Sequence, residues 1–396
     1  MKHFFLIDPK LLLFGFLITF FSSYGQTFFI SIFNLEIRNY YELSDGGFGL
    51  IYALATLSSS FILIWFAKLI DKIDLRIYSI IICGGLALAC FGMFYSYESI
   101  FYLFLIIFSL RFFGQGAMGH AGDTTLSRYF GLNRGKALSV GNLGVMFGFM
   151  IFPLITVYTM KNFNWHEVWF LSTITIIAIC IPIIIISLVG HEIRHKKFKV
   201  NLENKNELKN KKNIKIIFDK KFYIYLPVSI ASPFISTGLQ FHQIFIINEK
   251  GWTLELLAES FVFLGFFSII GLIFGGPIVD KFETKKVVIF SLAPLLLSIF
   301  VLYFFNNQIS IFIYMSLLGL NLGLTFPSIG SLWAELWGLE NLGSIKAILH
   351  SCGVFASALA PVLFGLFIDL GFGMISIFTI SLFIILISIF LPLKYN

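Results

Sequence analysis

Polar residues interrupt this chain in short clusters. Between them the sequence stays apolar for roughly 20 residues at a time, the length that carries an α-helix across the hydrocarbon core of a bilayer. The runs are long and lack the apolar–polar alternation of strands, so the pattern predicts helices rather than a barrel. Twelve spans are predicted, at about 11–33, 47–69, 77–96, 100–122, 137–159, 167–189, 222–247, 258–279, 287–305, 309–331, 345–367 and 372–392. The first is too long for the core of a signal peptide and has no small-residue cleavage site, so it counts as a span.

One polar segment is long. His191 to Lys221 is rich in Lys and Asn and has little apolar content, which predicts a flexible basic linker. It divides the chain into an N-terminal bundle (residues 1–190), a linker (191–221) and a C-terminal bundle (222–396). Composition agrees with the pattern. Of the 396 residues, 58% are hydrophobic and 12% charged, whereas a soluble domain has about a quarter of its residues charged. The fold class expected is therefore an all-α membrane protein.

The net charge of +7 raises the prospect of a nucleic-acid partner, but its distribution points to membrane topology instead. With the N-terminus placed inside, the outer loops hold only Arg38, Lys161 and Lys250 of the 28 Lys and Arg residues, and Arg111 lies within a span. The rest fall on the inner side, as the positive-inside rule requires. Both termini are expected to be cytoplasmic, in the cell membrane. The four cysteines, Cys83, Cys90, Cys180 and Cys352, sit in apolar runs without metal or disulfide spacing, so no metal and no cofactor are expected.

The chain also repeats itself. Trp65 to Arg76 reads WFAKLIDKIDLR, and Ile273 to Lys286 reads IFGGPIVDKFETKK, about half the chain later. In each, an apolar helix meets a small residue, an Asp-Lys pair and then a further basic residue. Gly25-Gln26-Thr27-Phe28-Phe29-Ile30 in span one is echoed by Gly238-Leu239-Gln240-Phe241-His242-Gln243-Ile244 in span seven, and Phe48 by Phe261, in nearly the same register.

With these motifs the chain resembles the major facilitator superfamily of transporters over essentially its whole length. The loop motif G-x-x-x-D-(R/K)-x-G-x-(K/R) is matched by Gly276, Asp280, Lys281 and Lys285, and by Asp71, Lys72 and Arg76 with Ala67 in place of glycine. Asp74 and Glu283 stand where the family often has a second glycine. Arg111, Gly114 and Gly116 in span four, and Gly141, Gly144, Gly148 and Pro153 in span five, resemble two further family motifs. The resemblance implies two pseudo-symmetric six-helix bundles in parallel orientation and transport by alternating access. Tyr24-Gly25-Gln26 and the linker into span five resemble the monocarboxylate and oxalate–formate group, whose span-one signature is otherwise not present.

A latch role follows for the loop motif. Asp71, Lys72, Arg76, Asp280, Lys281 and Lys285 are expected to gate, with Asp123 and Arg128 at the end of span four as partners. The plainer reading is that they are positive-inside anchors.

Arg111 carries the candidate chemistry. A charge in mid-span is costly unless it faces a cavity or a partner, and no Asp or Glu stands at comparable depth in any span. Three readings stay open. A guanidinium can grip a carboxylate bidentately and so bind an anionic solute. It can bond backbone carbonyls and only orient helices. The family resemblance adds a part in proton coupling. Gln115, Gln26, Gln240, Gln243 and Asn321 are expected to join Arg111 in binding substrate. His120, His242 and His350 are able to titrate near neutral pH, or are satisfied structural histidines.

The expected function is secondary active transport of a small solute, with a small organic anion such as a monocarboxylate suiting Arg111. No ATP-binding loop motif is present, so an ion gradient or exchange supplies the drive. The alternatives are an exporter of lipophilic compounds, a polytopic membrane enzyme and a sensor without flux. The dispersed histidines give the enzyme reading no cluster, and the chain is read as not an enzyme. The partners expected are the solute, a coupling proton and the lipid bilayer, with no nucleic acid and a monomeric state.

Overall fold

The computed structural model describes residues 4, 7–196, 218–338 and 342–395, and these are helical apart from short connections. Residues 197–217 of the expected linker lie outside the described residues. Among the described residues, eleven helices are long and apolar enough to cross a membrane, and a pair bent by 40°, Pro9–Gly25 with Thr27–Tyr40, makes a twelfth if it counts as one span. The expected all-α membrane fold is therefore the one found.

Several spans run further than hydropathy predicts. Span one continues to Tyr40 and so takes in Glu36 and Arg38, which the charge pattern placed in a loop. Span four is Ile100–Tyr129, span eight Leu254–Lys281 and span ten Gln308–Trp337. The extra turns mix polar with apolar residues, so their membership shows in hydrogen bonding rather than in apolar content.

Local signals explain the ends. Asp8 accepts from the Leu11 amide at 3.1 Å with Pro9 in the first helical turn, and Asn307 caps span ten through Ser310 N at 2.9 Å. Asn164 and Glu167 form a reciprocal capping box at the start of span six, at 3.0 and 2.8 Å. Gly338, at φ +79°, ends span ten in a backbone region that glycine enters without strain. The two copies of the Asp-Lys motif differ locally. The first unwinds into a 3-10 turn, Ala67–Asp71, while the second stays helical to Lys281.

The chain packs into two compact units whose boundaries cut through spans one, two and five. The first unit gathers the chain up to Phe29, Ser58–Gly148 and the segment from Thr159. The second gathers Ile30–Leu57, Phe149–Tyr158 and the second half of the chain.

Within the first unit, backbones meet at glycines. A Cβ on Gly114 of span four would stand 2.6 Å from Gly25 Cα, and one on Gly144 of span five would collide with the Phe16 carbonyl and Thr19. Thr19 Oγ1 donates to the Gly141 carbonyl at 2.6 Å, tying span one to span five. Small residues thus let these helices touch, as in other membrane packings. In the second unit Gly319 and Gly323 of span ten do the same against Leu264 and Ser268 of span eight.

Candidate functional site

Span one breaks at Gln26. Its backbone is extended (φ −84°, ψ 153°), and the Phe29 amide bonds Gln26 O instead of Gly25 O. The break takes the Gly25 carbonyl out of the helical ladder, and a carbonyl in an apolar span must find another donor. Arg111 supplies it. Its Nη1 lies 3.1 Å from Gly25 O and 3.4 Å from Thr27 Oγ1. Arg111 is only 2% exposed, and it sits in a π-helical stretch, Leu110–Met118. A π-turn is a common device for re-aiming a side chain at a functional place. Of the neighbouring candidates, Gln26 is half-buried and reaches Ser22 Oγ at 3.4 Å, and Gln115 is half-buried.

The other expected binding residues lie in the second unit. Asn321 is fully buried and richly bonded. It accepts from Ser232 Oγ at 2.6 Å and donates to Ser291 O at 2.8 Å and Thr325 Oγ1 at 3.2 Å. Gln240 and Gln243 are buried and, with Trp252 and Tyr314, line a void of about 10 Å³. That is room for one water molecule.

The loop residues are exposed or partly so. Asp71 pairs with Arg128. Arg76 turns instead to Asp74, at 3.0 Å, and to Glu192. Lys72 is exposed, and Asp123 lies beside Arg128, Thr124 and Ser127 along an open recess. In the second copy Asp280 and Lys281 are exposed and Lys285 is half-buried. Lys281 lies over the Phe282 ring, and Asp280 has no ion pair among the described residues.

A polar layer surrounds the first copy. Arg194 bonds Asp8 at 2.5 and 3.0 Å. Tyr129 Oη lies 2.9 Å from His195 Nδ1 and 3.4 Å from His191 Nε2. Burial pushes the His191 imidazole down to about 4; Asp74 pulls the other way, while the charges of His195, Arg194 and Arg76 add to the effect. On the second unit, burial also lowers the Lys250 ammonium, which donates to Tyr303 O at 3.0 Å and Asn306 Oδ1 at 2.7 Å.

One constellation was not singled out by the sequence. Asp45, the first residue of span two, binds Arg38 Nη1 through Oδ2 at 2.5 Å, and its Oδ1 faces His242 Nδ1 at 3.5 Å. Asp369, at the end of span eleven, accepts from the Asp45 and Gly46 amides at 3.1 and 2.9 Å. Gly49 and Gly365 let spans two and eleven approach so closely that a Cβ on either would stand 2.5–2.7 Å from the partner's backbone. The signal available was Asp45-Gly46-Gly47-Phe48-Gly49, an acid at a helix start followed by glycines.

The family model of the Major Facilitator Superfamily matches residues 15–275 and 246–395. No curated protein sequence matches the chain. Among solved structures, the chain resembles a bacterial homologue of the human lysosomal transporter Spinster in its inward-facing, unoccupied conformation. The TM-score is 0.65 at 13% identity, over 97% of this chain and 96% of that one. The occupied, inward-facing form of that homologue gives 0.66 at 12% identity, over 98% and 95%. At these identities the likeness concerns the fold.

Proposed function

The chain belongs to the Major Facilitator Superfamily, and from that premise we propose that it is a secondary transporter working by alternating access, with a small organic anion such as a monocarboxylate as its substrate class. Arg111 carries the proposal. Its guanidinium is buried and donates to a carbonyl and a hydroxyl, both neutral acceptors. A carboxylate takes the same donors bidentately and more strongly. An anion reaching the break in span one therefore competes with Gly25 for Arg111.

The loop motif supports alternating access. One copy pairs Asp71 with Arg128, while Asp280 of the other has no ion pair among the described residues. One motif in two arrangements suits a contact that forms and separates during a cycle. The distribution of Lys and Arg supports a cell-membrane protein with both termini cytoplasmic.

The bond to Gly25 also favours a second reading, in which Arg111 is a positioning residue that holds the break and touches no solute. Uptake into proteoliposomes separates the two, using a panel of organic anions with neutral and cationic controls. The anion reading expects anion uptake in the parent and a raised KM for anions in Arg111→Lys. The positioning reading expects Arg111→Lys to lower the maximal rate with KM unchanged. A parent that moves only neutral or cationic solutes overturns the anion class.

A further inference from the structure

Two buried polar atoms in the second unit face each other with nothing else to bond. His242 Nδ1 and Asp45 Oδ1 are 3.5 Å apart, and neither has a hydrogen-bond partner among the described residues. The rest of each group is fully committed. His242 Nε2 lies 2.9 Å from the Pro361 carbonyl oxygen, which can only accept, so that nitrogen carries a hydrogen. Asp45 Oδ2 is held by Arg38, whose Nε bonds Asn34 Oδ1 at 2.8 Å. Asn34 in turn donates to Phe241 O at 3.1 Å.

A neutral imidazole with its hydrogen on Nε2 would turn a bare lone pair toward a carboxylate, in a place where His242 is 1% and Asp45 8% exposed. Two acceptors facing each other in so dry a place repel and leave both unsatisfied, which is costly. One proton is required between Nδ1 and Oδ1.

We propose that His242 and Asp45 form a proton-binding site that fills when the ends of spans one, two, seven and eleven dock and empties when they separate. The site is complete only in the docked arrangement, because its members come from all four segments. Asn34 and Arg38 lie on span one, Asp45 on span two, His242 after span seven, and Pro361 on span eleven. The charged groups around His242 are Asp45 directly, Arg38 through Asp45, and Asp369 on the Asp45 and Gly46 amides. Lys250, on the helix that follows His242, is bonded to Tyr303, Phe305 and Asn306 instead. On separation the proton returns to the water that enters. Docking thus takes up a proton, and by linkage acid favours the docked state and alkali the separated one. The proposal rests on the alternating-access reading only in treating the contact as one that opens.

The test reads conformation rather than flux, so its failure is separate from failure of the substrate assignment. Spin labels on cysteines at Glu42 and Phe372, both exposed, report the distance across the contact once the native cysteines are replaced. In the parent, the short-distance fraction should fall by about threefold or more between pH 5 and pH 9, in a single-proton transition. His242→Gln keeps a donor for Pro361 O but does not titrate, and it should flatten the response. Asp45→Asn should flatten it as well, by an independent route. A parent whose distance distribution is the same at both pH values overturns the proposal, and so does a His242→Gln or Asp45→Asn protein that keeps the parent's response.

Discussion

Arg111 and Gly25 complete each other. The break at Gln26 leaves the Gly25 carbonyl without its helical donor, and the Arg111 guanidinium, 3.1 Å away, replaces it. The charge in span four and the discontinuity in span one are two halves of one arrangement. Removing the guanidinium in Arg111→Ala leaves a buried carbonyl without this donor, at a cost of about 1–3 kcal/mol. The expected outcome is a lower thermal midpoint in detergent. Arg111→Lys, with a single point donor on a flexible stem, should recover part of the loss. An alanine variant that melts with the parent would show that the pair contributes nothing to the fold.

Gly114 faces backbone and not a movable side chain. A Cβ there stands 2.6 Å from Gly25 Cα, so spans one and four must part to admit it. Gly114→Ala should cost about 1–3 kcal/mol and lower the folded yield. On span three, a methyl added at Gly84 would meet nothing within 4 Å, and Gly84→Ala is the control expected to leave yield and melting unchanged. Helix propensity by itself favours alanine over glycine, so equal losses at both positions would mean that the approach of spans one and four does not set the effect.

Asn321 spends its amide on Ser232, Ser291 and Thr325. Asn321→Ala strands two or more buried partners and should destabilise the protein by roughly 2 kcal/mol or more. KM in the surviving folded protein should match the parent. A raised KM with unchanged melting would assign Asn321 to the solute instead.

His191 supplies a pH dependence of known sign. Burial pushes its imidazole down to about 4, below the free value of about 6.5. The folded protein therefore binds the proton less readily than the unfolded chain. The neutral form is fully favourable above about pH 6.5, and its contribution is lost as pH falls from there toward about 4. The amides around His191 should lose hydrogen-exchange protection, taken relative to the intrinsic rate at each pH, across that window. The effect should flatten in His191→Asn, and an acid response of the same size in that variant would place its origin elsewhere.

Span one shows how far the sequence reaches. Leu11 to Phe33 is apolar enough to be found by hydropathy, and the membrane fold follows because backbone in lipid must bond to itself. Asn34 to Tyr40 is polar and still helical, since Arg38 is taken up by Asp45 and Asn34 by the Phe241 carbonyl. Those partners lie on other spans, so no window along the chain could include them. Arg111 was visible as an anomaly of charge at depth, but its acceptor was not, because the break at Gln26 leaves little compositional trace.

Taken alone, the sequence determined the class of protein, the apolar middle of each span and the repeated Asp-Lys motif, all of which depend on apolar length and local residue order. Which polar groups meet was decided only in the tertiary structure. Asp45 and His242 are far apart in the chain, and each by itself reads as an ordinary polar residue at a helix end. Their significance comes from packing that brings both to one dry place and leaves each facing the other. Hydropathy is a sum over neighbours in sequence, whereas the need for a shared proton is a property of neighbours in space.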